Sequence, residues 1–265
     1  MKRVGSGFRL AWLYFRVGAM NELQYRANFF VQLAQSVVAV GTGLVALALV
    51  FSHTTELHGW TKPELLVVMG LFTIMGGIIA TAIQPNMQRL IDDVRTGTLD
   101  YVLTRPEDAQ LLVSVREVRI WSLVDVLTGG IVLAVGLVRL PGGVSAGSVV
   151  AALVLLLMGA VMVYCFLLIL TSGAFWFVRM DQIQELFDGV YRAGQYPVGI
   201  YPGWLRFGLT FLVPLAFAIT VPASALTGRL TWVTVLGMVA MTVGLLALTR
   251  WVWRRGLRRY GGASA

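Results

Sequence analysis

Val149–Val178 reads VVAALVLLLMGAVMVYCFLLILTSGAFWFV, a run whose only ionisable side chains are Tyr164 and Cys165. An α-helix rises about 1.5 Å per residue and the hydrocarbon core of a bilayer is about 30 Å thick, so about 20 apolar residues cross it. This run is longer than that. It predicts a membrane-spanning helix that tilts or projects past the headgroups.

Working outward, the same test finds five more runs: Phe29–Ser52, Leu65–Ile83, Ile120–Val138, Phe207–Ala225 and Thr231–Thr249. Composition agrees. Of 265 residues, 57% are hydrophobic and 13% charged, about half the charged share of a soluble domain. The expected fold is all-α: one polytopic membrane domain over residues 1–265 with six transmembrane helices.

Orientation follows from the basic residues. Of 21 lysines and arginines, all but Lys62, Arg139 and Arg229 fall in the N-terminal segment, the second loop, the fourth loop or the C-terminal segment. Such alternation is the positive-inside pattern, and a spurious span would break it downstream. Both termini are therefore expected in the cytoplasm, with the chain multi-pass in the cell (plasma) membrane. The net charge of +8 then answers to anionic headgroups. No basic stripe is long enough to track a nucleic-acid backbone.

Three segments flank this frame. In residues 1–28, Phe8, Trp12 and Phe15 recur at helical spacing beside Arg9 and Arg16, predicting an amphipathic helix in the headgroup plane. The same arginines interrupt any apolar region behind the basic start, so no cleaved signal peptide is expected. Asp181–Arg206 has two readings: a cytoplasmic-side interfacial helix followed by a turn, or part of a kinked, longer fifth span. Asp181, Glu185, Asp188 and Arg192 favour the first, because charges deep in lipid are costly. Residues 250–265 read as a cytoplasmic tail.

Catalytic chemistry is sparse. No HExxH, GxSxG or CxxC occurs. His53 and His58 share one short loop with Glu56, and their spacing does not suit ligation from one helical face. No catalytic residue and no metal ligand is assigned. A P-loop needs a lysine after a glycine-rich turn, and neither Lys2 nor Lys62 sits in one, so any ATP that drives this chain is hydrolysed by another polypeptide. Cys165, the lone cysteine, reads as a small hydrophobe. An ion-coupled secondary transporter would want several intramembrane titratable groups. Asp125 is the one clear candidate, and it reads as facing a neighbouring helix or the interface. A membrane-embedded lipid-modifying enzyme would need more than the cluster Asp181, Glu185 and Asp188. Both remain as alternatives.

The most informative soluble stretch is 85–119. Leu90, Ile91 and Val94 share one helical face, and Arg89, Asp92, Asp93 and Arg95 supply a charged one. Gly97 falls at a C′ position that ends the helix. By composition alone this is equally a docking element or a solvated hairpin.

Asp92-Asp93-Val94-Arg95-Thr96-Gly97-Thr98-Leu99-Asp100-Tyr101, leading into Leu103-Thr104-Arg105-Pro106, resembles the cytoplasmic signature of permease subunits of type-2 ATP-binding-cassette exporters. The stretches Gln195–Arg206 and Val213–Ala216 and the tail Trp253–Tyr260 are similar to the same family, so the resemblance spans about residues 8–265. It implies six spans and a dimer with the same or a sibling permease. It also implies a separate cytoplasmic ATPase that holds ATP and magnesium; this chain itself binds no cofactor. By the same resemblance Arg89, Asp92, Asp93, Arg95, Gly97, Thr98, Leu99, Arg105 and Pro106 form the surface that couples to that ATPase, and Phe8, Trp12 and Phe15 mark the in-plane connecting helix. Many such exporters carry a re-entrant helical pair between spans five and six. Here that loop is brief, about Leu226–Leu230, so no gate residues are assigned. The low charge of the spans points to a hydrophobic or amphipathic substrate.

Overall fold

The structure, a computed structural model, describes residues 26–177, 183–212 and 214–260 together with Arg16 and Met20. The expected in-plane helix with Phe8, Trp12 and Phe15 lies outside the described residues, as does Asp181.

The chain opens with α1 (Arg26–His53). A short loop leads to α2 (Lys62–Ile78), which passes through a π-helical turn at 79–83 into α3 (Gln84–Thr96). Two short helices, α4 (Asp100–Leu103) and α5 (Ala109–Ser114), precede α6 (Leu123–Val138) and α7 (Ala146–Ser172). Then come α8 (Ile183–Tyr191), α9 (Gly203–Phe207), α10 (Val221–Leu226) and the long α11 (Trp232–Leu257). No strand occurs among the described residues.

Five helical runs there are long and apolar enough to cross a membrane: Ala27–His53, Lys62–Thr96, Ile120–Val138, Ala146–Phe175 and Trp232–Leu257. A shorter apolar helix, Phe217–Leu226, belongs to the expected fifth span. The chain is an all-α polytopic membrane protein.

Its centre is α2. Within the most apolar stretch of the run Lys62–Thr96, to which α2 belongs, 61% of residues are buried inside the protein, against 17% for the runs of α1 and α11, so the outer helices leave their apolar surface to lipid or to another subunit. Glycines let α6 approach α2 at backbone distance. A Cβ on Gly70 would sit 2.6 Å from the Leu133 backbone nitrogen, and one on Gly129 would sit 2.7 Å from that of Ile74. In a bilayer, where apolar burial no longer drives association, such close contact supplies the packing energy.

Local chemistry starts three of the long helices. Thr61 and Glu64 form a capping box for α2, the Thr61 N–H donating to Glu64 Oε2 at 2.7 Å. Ser145 accepts from the Ser148 N–H at 3.1 Å to start α7, and Thr231 accepts from the Thr234 N–H at 3.3 Å to start α11.

The fifth span departs from expectation. Phe207–Ala225 is not one helix: π-helical turns at 208–212 and 216–220 interrupt it. Proline supplies the reason for the second. Pro222 has no N–H to give the carbonyl four residues back, and a widened turn just before it accommodates the mismatch. The turn at 79–83 stands in the same relation to Pro85.

In the stretch before it, α8 packs on α2: the Tyr191 hydroxyl donates to the Phe72 carbonyl at 2.7 Å and the two rings stack at 4.7 Å. Gln84 satisfies Asp188 at 2.7 Å, which reduces the cost of placing that carboxylate here. A Cβ on Gly194 would lie 2.7 Å from Ile219 and 3.9 Å from Leu215. The chain therefore leaves this level after Gly194, runs through α9, and returns to it at Leu215. The loop between α10 and α11 is brief, as expected.

Helix α11 continues through Arg250, Arg254 and Arg255 to Leu257, and Trp253, 1% exposed, packs against Phe175 at 5.6 Å.

Candidate functional site

At about 1.5 Å per residue the run Lys62–Thr96 is about 50 Å long, more than a bilayer core requires. Helix α3 is the surplus, and it carries the segment that the sequence singles out.

Pro85 leaves the Thr81 carbonyl without its helical partner. The Arg119 N–H takes that place at 2.9 Å. The next residue, Asn86, is 1% exposed and uses its whole amide. Its Nδ2 donates to the carbonyls of Ala82 and Glu117, at 2.7 and 2.8 Å. Its Oδ1 accepts the N–H groups of Arg116 and Glu117, at 2.9 and 3.0 Å. The chain returning from α5 is thus stitched to the start of α3.

Asp93 holds the other end. It is 2% exposed, pairs with Arg89 at 3.3 Å and with the Arg116 guanidinium, and accepts the Thr98 hydroxyl at 2.9 Å. Its carbonyl takes the Leu99 N–H at 3.2 Å. This wrap is possible because Gly97 ends α3 at φ 75°, ψ 5°, a left-handed conformation costly for residues with a Cβ. The sequence reading of Gly97 as the helix stop matches.

The surface assignment needs correction at two positions. Asp93 and Leu99, the latter fully buried, face inward and hold the segment together rather than forming its surface. Gly97 and Thr98 are half-buried. Arg89, Asp92, Arg95, Arg105 and Pro106 are exposed. They share the segment with Tyr101, Leu103 and Leu111, apolar side chains open to solvent at 76, 38 and 44%. Tyr101 lies within the motif but is not among the residues that the resemblance assigns. Asn86 and Arg116 belong to the site as well; the sequence signal for Asn86 is an amide directly after a mid-helix proline.

Helix α5 ties this module to α11. Asp108 accepts the Gln110 and Leu111 N–H groups at 2.9 and 3.3 Å as N-cap, and binds the Arg250 guanidinium. That Arg250 bond is the main cause holding the Asp108 carboxyl below its ordinary range. The Ser114 and Tyr164 hydroxyls meet at 2.7 Å, fixing α5 to α7.

Asp125 faces a neighbouring helix, as expected: Gln32 of α1 donates to it at 2.8 Å, and Ser36 and Thr128 meet at 2.7 Å one turn along. At the opposite end of the bundle, Arg229 donates to both Glu64 oxygens, at 2.8 and 3.0 Å, and to the Gly59 carbonyl at 2.6 Å. Its guanidinium lies 4.9 Å from the centre of the Trp60 ring. Among the described residues no three His, Cys, Asp or Glu side chains gather as a metal site.

A polytopic helical bundle with one helix extended into a rigid polar module has the build of a transporter membrane domain. The chain matches the family described as ABC-2 family transporter protein over residues 37–264 and belongs to it; it is an ABC-2 type permease subunit. Such subunits are the transport component in the membrane, are not themselves catalytic, and partner with an ABC ATPase. No curated protein and no solved structure matches the chain.

Proposed function

We propose that this chain exports a hydrophobic or amphipathic substrate across the plasma membrane, with its arginine-rich end in the cytoplasm. A separate ATPase, carrying the ATP and magnesium, docks on residues 84–111, and a second permease subunit completes the pathway. The observation that carries this reading is mechanical. The exposed group Arg89, Asp92, Arg95 and Tyr101 sits on a module that continues without a break into the central helix α2. A push on that surface reaches the middle of the bundle through one helical body.

ATP binding does work on the substrate only if it changes the relative stability of the inward- and outward-facing forms. A stitched, incompressible module favours that coupling, since a loose loop would absorb the motion. The test is substrate-stimulated ATP hydrolysis by the reconstituted permease–ATPase complex. Asp92 and Arg95 pair with each other at 3.0 Å and are more than half exposed, so replacing both by alanine leaves the fold intact. The expected result is an assembled complex without stimulation. Undiminished stimulation overturns the assignment.

A further inference from the structure

Between α1, α2, the start of α6 and the stretch 191–195 lies a cavity of about 190 Å³. Its polar lining is Ser36, Thr73, Gln195 and Asp125; Phe72 and Tyr191 supply aromatic rings. The hydrogen bond from Gln32 occupies one Asp125 oxygen. No arginine or lysine pairs with Asp125 among the described residues.

A carboxylate within a membrane span is costly unless something balances it. An asparagine at this position would accept the same bond from Gln32 without a charge to desolvate. The charge contributes when a cation arrives. Beside it stand two stacked rings, and aromatic faces attract ammonium groups with apolar substituents. Size narrows the ligand further. Drug-sized molecules fill pockets of about 300–1,000 Å³, so this cavity takes a head and leaves the body outside. Apolar surface for that body adjoins it: Val40, which lines the cavity, also lines a neighbouring groove between α1 and α6 with Val37, Leu44 and Ile131.

We infer that the cavity binds the head of a lipophilic cation, an amine or quaternary ammonium carrying an apolar body, as transport substrate. This rests on the exporter reading given above and specifies its substrate class. Asp125 supplies the counter-charge, Phe72 and Tyr191 the aromatic wall, and Gln32 holds the carboxylate in place.

The test is equilibrium binding to the purified full-length permease in lipid nanodiscs with no ATPase present, so its outcome is independent of the hydrolysis experiment. The probes are a fluorescent quaternary-ammonium dye and a neutral dye of matching size and shape. Asp125→Asn should weaken the cationic dye about tenfold while leaving the neutral dye within about twofold, and Asp125→Glu should retain most cation binding. Gly76→Leu adds bulk from a Cβ that starts 3.5 Å from the Tyr191 ring. It should block the cation with the carboxylate intact. Each variant is first checked for a monodisperse elution profile. Wild-type cation affinity in Asp125→Asn or in Gly76→Leu overturns the inference, as does an equal loss of both dyes in Asp125→Asn.

Discussion

At the Lys62 end of the long central run, one arginine does the holding: Arg229 clasps Glu64 and Gly59 from a side chain that is 39% exposed. At the Thr96 end, Pro85, Asn86, Asp93 and Arg116 form a buried network in which nearly every polar atom has a partner. Water reaches the arginine of the first contact, though the Glu64 side chain is 8% exposed, and is largely excluded from the second. The same helix is thus anchored lightly at one end and clamped at the other. On the proposed reading, in which a cytoplasmic ATPase drives the chain, the clamped end is the one that transmits force.

The largest effect should come from removing the clamp's centre. Asp93→Ala leaves the Arg116 guanidinium, only 16% exposed, without its carboxylate. A fully buried pair broken this way costs about 3–5 kcal/mol. Arg89 remains hydrated, with 54% of its side chain exposed, so about 2–3 kcal/mol is expected, read as a lowered thermal midpoint in detergent. Next comes Asn86→Ala, which orphans the N–H groups of Arg116 and Glu117; about 1–3 kcal/mol should be lost. Arg229→Met strips one oxygen of Glu64, a carboxylate only 8% exposed, of its partner; because Glu64 keeps its bonds from Thr61, about 1–2 kcal/mol is expected. If Arg229→Met matched Asp93→Ala, the contrast between the ends would fail.

The smallest effect sharpens the picture by pH. Arg250 depresses the Asp108 pKa, so the folded state favours the ionised form. Its contribution is present above the unfolded carboxylate value of about 3.9 and is lost as pH falls through the lower folded value. Asp108→Asn keeps the cap but not the charge. The gap in thermal midpoint between wild type and this variant should stay level from pH 8 to pH 5, estimated from the same reference value, and close only below about pH 4. Both side chains are about 40% exposed, so screening keeps the gap small.

The spans were legible because lipid imposes one simple demand, length without charge, and Ile120–Val138 matches to the residue. Gly97 was legible because a left-handed helix end has few sequence solutions. The fifth span was not: hydropathy counts residues but does not follow the chain, and 203–226 is apolar while its helix is interrupted by π-helical turns at 208–212 and 216–220. Nor was the burial of Asp93. A charged residue between Asp92 and Val94 reads as solvated until Arg116, distant in sequence, is brought beside it. The arginines of α11 mark where the apolar run stops but not where the helix does: Trp253 and Gly256 pack on Phe175 within the same helix.

Chemical cross-linking tests the docking of a separate ATPase on this module most directly. Cys165 is buried and is the lone native cysteine, so an introduced cysteine gives a single reactive site. In the permease–ATPase complex, Tyr101→Cys treated with a short bifunctional reagent should yield an adduct with the ATPase, and His58→Cys at the opposite end should yield none. An adduct from His58→Cys, or no adduct from Tyr101→Cys in an intact complex, contradicts the account.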